Sequence, residues 1–166
     1  MTLDNLRNLY QQVILEHYKK PRHRGQADPV DRQQRGHNPS CGDTIDLTLS
    51  LEVSADTSEP RIKQIKFEGE GCAIAMASAD LMADALQGQT ITTALKMVEQ
   101  FQTMMKGQFE FPREFRKLNA MQGVAQFPVR IKCATLTWHT LRAALEQTEP
   151  SPTNEASGFV TNEDEY

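Results

Sequence analysis

Residues 44–53, TIDLTLSLEV, alternate apolar and polar positions without a break. Ile45, Leu47, Leu49, Leu51 and Val53 fall on one side, and Asp46, Thr48, Ser50 and Glu52 on the other. A period of two predicts a β-strand with one buried and one wet face. RIKQIKFEGEG at 61–71 predicts a second strand, with Ile65 and Phe67 in phase. The polar turn ADTSEP between them makes an antiparallel hairpin the expected pairing. A third strand would suit this sheet, but no segment announces it.

Elsewhere the period is helical. Leu3, Leu6, Tyr10, Val13, Ile14 and His17 recur at helical spacing until Pro21 stops the run. PRHRGQADPVDRQQRG at 21–36 is basic, punctuated by Gly and Pro, and reads as a loop. Beyond Cys72, AIAMASADLMADALQG predicts a helix closed by Gly88. TITTALKMVEQFQTMMKG predicts another, opened by capping threonines and ended at Gly107. REFRKLNAMQG is a short helical piece closed by Gly123. FPVRIK reads as extended, since the residue before a proline avoids the helical region. CATLTWHTLRAALEQ, opening at Cys133, is the last helix. Strands first and helices after imply an α+β fold: a small antiparallel β-sheet of about three strands with helices packed on one face.

Composition bounds the function. The 166 residues are 39% apolar, which suits one globular domain with a core. The domain is expected to span 1–148. The Ser-, Thr-, Pro-, Asn- and Glu-rich end, 149–166, reads as an acidic, disordered tail. Residues 146–166 hold six of the 22 acids and no Lys or Arg, leaving 16 acids against 18 bases in the body. Such a balance lacks the strongly basic footprint of a nucleic-acid binder. No run approaches the ~20 apolar residues that cross a bilayer. The N-terminus lacks the order of a secretory signal. A soluble, cytoplasmic protein is expected, with no nucleic-acid or membrane partner.

Three cysteines are too few for a disulfide framework, and in a reducing compartment they remain thiols. Each has a plain alternative as a small buried hydrophobe. Their settings favour chemistry. Cys72 follows EGEG and is placed at a helix start, as is Cys133 after VRIK. Unpaired N–H groups at a helix start favour a thiolate. Cys41 and Asp43 flank Gly42 and share the buried phase of the strand, unless Gly42 breaks it. Three thiolates and one carboxylate repel one another unless a cation joins them. As a tetrahedral set they suit zinc or ferrous iron, with Arg130 and Lys132 offsetting remaining charge.

The histidines and methionines carry blander expectations. His17 reads as packing on the first helix, His23 as a solvated loop residue, and His37, near Cys41, likewise as solvated. Trp138 and His139 read as packing in the last helix. The methionines at 76, 82, 97, 104, 105 and 121 read as core or adaptable surface.

Three motifs, NPSCGD, FEGEGCAIAMASADLM and FPVRIKCATLTWHTL, resemble in order those of SufU-type proteins of sulfur mobilisation, relatives of the IscU iron–sulfur scaffolds. The likeness runs from LYQQVILEHYKKPRHRG to about Gln147. The IscU pattern has a histidine directly before the third cysteine; here Lys132 stands in that place. FRKLNAMQGVAQFP is similar to the SufU insertion. Both features favour the SufU branch.

The resemblance implies zinc held by Cys41, Asp43, Cys72 and Cys133. It also implies sulfur acceptance from a SufS-type cysteine desulfurase and delivery toward a SufBCD-type scaffold. Cys41 would take the persulfide sulfur after a histidine of the desulfurase replaces it on the zinc. Arg130 would support the site. Two alternatives stay open: a scaffold holding iron or a [2Fe-2S] cluster, and a structural zinc adaptor module.

Overall fold

A computed structural model describes residues 3–53, 59–147 and 159–161. The expected turn ADTSEP and the expected disordered tail fall largely outside the described residues. The element order is α1 (Leu3–Lys19), β1 (Arg32–Asn38), β2 (Asp43–Glu52), β3 (Arg61–Glu70), α2 (Ala73–Leu86), α3 (Ile91–Met105), a 3-10 helix (Arg113–Val124), α4 (Pro128–Leu145) and β4 (Phe159–Thr161). The sheet runs β3-β2-β1-β4. Its first three strands are antiparallel, and β4 adds to β1 in parallel over Arg35–His37. The α+β class and the antiparallel sheet match the sequence pattern; β4 has no counterpart in it.

β1 is the missing third strand, inside a segment whose composition reads as a loop. RQQRGHN contains no large apolar residue, so periodicity cannot find it. Tertiary partners make it a strand. It pairs with β2 from Arg32↔Leu49 to Asn38↔Asp43, and the Arg35 guanidinium meets the Asp46 carboxylate across the ladder.

The second face of β2 is wet only in part, with Glu52 exposed and Asp46 half-buried. Thr48 and Ser50 are buried because residues 27–31 strap across them. The Ala27 N–H donates to Thr48 Oγ1 at 2.8 Å, the Ser50 hydroxyl donates to the Pro29 carbonyl, and the Leu51 N–H donates to Asp31 Oδ2 at 2.8 Å. Val53, at the expected buried end, is exposed.

The other face carries the core. Ile45, Leu47, Leu49, Ile65 and Phe67 are sealed beneath α2 and α4. Trp138 stacks on Phe101 with ring centroids 4.3 Å apart, and its indole N–H donates to Ser78 Oγ at 3.1 Å. Packing is thus the role of Trp138. His139 is buried beside it, and the six methionines named above are all core.

His17 is buried too, but its partner is specific: Nδ1 lies 2.6 Å from Asp80 Oδ2. Asp80, on α2, has no exposed surface and also accepts the backbone N–H groups of Arg22 and His23 at 2.9 Å. Burial pushes the Asp80 carboxyl up, but its bond to His17, the His23 amide and both imidazole charges outweigh that and hold it below the usual value. His23 is not the solvated residue its loop suggests; it is buried, with Nε2 3.3 Å from Asp84 Oδ1.

The run 127–132 is the main misplacement. Phe127 is extended, as a residue before proline should be. Pro128 then opens α4 instead of preceding it. A first helical position needs no N–H partner and accepts the fixed φ of proline. Cys133 is therefore the sixth residue of α4 and not its start. Among the described residues, no helix is long and apolar enough to cross a membrane.

Candidate metal centre

Cys41, Asp43, Cys72 and Cys133 arrive at one end of the sheet from a turn, a strand and two helices. Residues 38–42 form the turn between β1 and β2. The Asn38 carbonyl accepts the N–H groups of Cys41 at 3.3 Å and Gly42 at 2.8 Å. Gly42 has φ +73°, a left-handed conformation that a side chain disfavours. The strand phase therefore starts at Asp43, and Cys41 sits in the turn, half-buried beside the exposed Pro39 and Ser40.

Asp43, the first residue of β2, has no exposed surface. Its Oδ1 accepts the Cys72 N–H at 2.9 Å. Gly71 makes room for it, since a Cβ there would lie 2.7 Å from Oδ1. Cys72 caps α2, its Sγ accepting the Ala75 N–H at 3.5 Å and lying 4.0 Å from Asp43 Oδ2. Cys133 is fully buried in the second turn of α4, with Sγ 3.1 Å from the Cys41 sulfur. Ligand atoms of Cys41, Asp43 and Cys133 all lie within 4.8 Å of one another, so this group can hold a metal ion. Cys72 falls outside that trio and approaches it through Asp43, its Sγ 4.0 Å from Oδ2.

The thiols differ in acidity for physical reasons. A hydrogen bond from Cys133 is the largest influence on Cys72; burial opposes it, and helix-cap N–H groups assist it. The result lowers Cys72 to about 6. Cys133 moves the opposite way, raised by the same bond, by burial and by its contact with Cys41. The two shifts favour the thiolate on Cys72 over that on Cys133. Helix-start acidity holds for Cys72 and not for Cys133, as its place in α4 requires. Arg130 is exposed, and its guanidinium pKa is raised chiefly by a hydrogen bond to Cys133 and then by the charges of Cys72 and Cys133.

A buried carboxylate among three thiols is costly without a cation, since each buried anion loses hydration worth several kcal/mol. Sulfur and carboxylate donors together suit a divalent metal of intermediate softness. His37 lies on β1, not in a loop, and its Nδ1 is 3.1 Å from the Asp43 carbonyl oxygen and 3.3 Å from Thr44 Oγ1. Asn38, which no pattern in the sequence singles out, touches the site directly. An open groove of about 830 Å³ borders the site, bounded by Leu6, Tyr10 and Ile14 of α1, by Ile74, and by Phe127 and Arg130.

The family model for the NifU-like N-terminal domain matches residues 9–152. The zinc-dependent sulfurtransferase SufU of Bacillus subtilis (strain 168) is 43% identical over 149 residues, covering 87% of this chain and 95% of that protein. The iron–sulfur cluster assembly scaffold protein IscU of Streptococcus pyogenes serotype M1 is 40% identical over 149 residues, covering 89% of each. Among solved structures, a hypothetical protein at 2.3 Å resolution superposes with a TM-score of 0.73 at 39% identity, covering 84% of this chain and 98% of the other.

Proposed function

Since this chain belongs to the family of NifU-like N-terminal domains, we propose that it serves iron–sulfur cluster biogenesis by accepting sulfur on Cys41, with zinc held by Cys41, Asp43, Cys72 and Cys133. The observation that carries this reading is the unequal anchoring of the four donors. Cys133 is sealed in α4, Cys72 caps α2, and Asp43 is buried and accepts the Cys72 N–H. Cys41 sits in a turn beside a left-handed glycine. A closed set of four ligands is a structural site; chemistry requires one of them to leave. Cys41 is the donor whose departure disturbs least.

The donors fit zinc: three sulfurs and one carboxylate oxygen, with the carboxylate buried. Zinc, when bound, holds the thiols deprotonated without redox chemistry of its own. The residues of the chain do the rest. The Cys41 thiolate attacks the outer sulfur of a persulfide on a cysteine desulfurase. The donor's sulfur–sulfur bond breaks, its electron pair leaves with the desulfurase cysteine as thiolate, and a new sulfur–sulfur bond forms on Cys41. The Arg130 guanidinium sits where it can steady the negative charge around the sulfurs. The desulfurase is proposed to be of the SufS type, and the groove along α1, which Arg130 also lines, is the surface proposed for it. Delivery would then run to a scaffold of the SufBCD type.

The scaffold reading has its own support in the likeness to the streptococcal IscU. Lys132, in place of a histidine before Cys133, weighs against it. The deciding experiment is desulfurase turnover with wild type and Cys41→Ala. Wild type is expected to stimulate turnover, and the variant to lose that stimulation at least tenfold, the order of effect for removing an attacking nucleophile. Full stimulation by Cys41→Ala would exclude Cys41 as acceptor.

A further inference from the structure

Asn38 closes β1, opposite Asp43 in the ladder, and has no exposed surface. Its amide Nδ2 donates to Asp43 Oδ2 at 3.3 Å and to Cys133 Sγ at 3.7 Å. Its Oδ1 accepts the Ser40 N–H at 3.3 Å, and its backbone carbonyl accepts those of Cys41 and Gly42. One residue thus grips both the turn that carries Cys41 and two donors that stay behind when Cys41 moves. The remaining donor, Cys72, is tied to Asp43 by its own N–H.

The residue type fits the task. A buried amide supplies two donors and no charge. A lysine or arginine would donate equally well but would compete with a metal cation for the same anions. An aspartate would add a further negative charge to a site already crowded with them.

From this geometry we infer that Asn38 is a positioning residue for the metal centre. It holds Asp43 and Cys133 in place, so that a three-donor site persists while Cys41 is away taking sulfur. The inference rests on the zinc reading above. Hydrogen-bonded partners behind metal ligands typically account for 10- to 100-fold in affinity.

The test uses the full chain and zinc alone, with no sulfur donor present. Asn38→Leu keeps the shape and removes both donors; Asn38→Ser keeps a shortened donor and the backbone bonds. Zinc affinity is read by competition with a chromophoric chelator, and the cobalt-substituted protein is read by its visible spectrum. The urea midpoint of each metal-free form is recorded alongside. About 10- to 100-fold weaker zinc binding is expected for Asn38→Leu, with a smaller loss for Asn38→Ser and shifted cobalt bands in both. A purely structural role would lower the metal-free midpoint and leave the cobalt bands unmoved. Affinity within about twofold of wild type and an unchanged cobalt spectrum, in whichever variant stays folded, would overturn the inference while leaving the zinc reading intact. A wild-type chain that binds no zinc would overturn both.

Discussion

Cys72 and Cys133 show how much a residue's place decides. Both follow short polar or basic runs, and both look like helix openers in the sequence. Cys72 is one, because Gly71 leaves space for Asp43 and lets the chain turn into α2. Cys133 is not, because Pro128 starts α4 earlier. The first becomes acidic and the second basic. The same logic governs His139, whose burial in α4, helped by the charge of Arg142, lowers it from 6.5 to about 4. Between those values the unfolded chain binds a proton that the folded chain refuses. Stability therefore rises with pH from about 4 to 6.5, is fully present above 6.5, and falls by about 3 kcal/mol as pH drops across the window. Urea midpoints across this range, compared with those of His139→Gln, measure it. The variant is expected to flatten the profile, and an unchanged slope would assign the dependence elsewhere.

At the scale of elements, the Asp80 clamp ties α1 and the residues after it to α2, and α2 carries Cys72 at its start. Asp80→Ala leaves the His17 ring and two backbone N–H groups without their acceptor. It is expected to cost about 3 kcal/mol in urea unfolding, with the denaturant slope unchanged. A loss below about 1 kcal/mol would show that other contacts hold α1 in place. The strongly periodic elements β2, β3, α1 and α3 were legible in the chain because burial imposes their spacing on the sequence. β1 was not, because a strand made of Arg, Gln, Gly, His and Asn owes its form to its neighbours. The start of α4 was hidden for a different reason: proline both ends an extended run and opens a helix, and local sequence does not separate the two.

The whole molecule assembles a site whose parts are far apart in the chain. Cys41, Asp43, Cys72 and Cys133 were each visible as candidates, and the resemblance of three motifs joined them. Spacing alone did not, since no two cysteines stand at the short interval of common zinc sites. Asn38 escaped notice because its importance lies in contacts that exist once β1 meets β2 and α4. The sheet, sealed on one side by helices and strapped on the other by 27–31, gives three donors a fixed frame. The fourth is left on a turn. That asymmetry is the central claim, and it is tested most directly by finding where sulfur lands. The zinc-loaded chain is incubated with a cysteine desulfurase and cysteine, trapped with an alkylating reagent, and mapped by peptide mass spectrometry. One added sulfur atom on the Cys41 peptide, absent from those of Cys72 and Cys133, is the predicted result. Sulfur on Cys72 or Cys133, with Cys41 unmodified, would contradict the account.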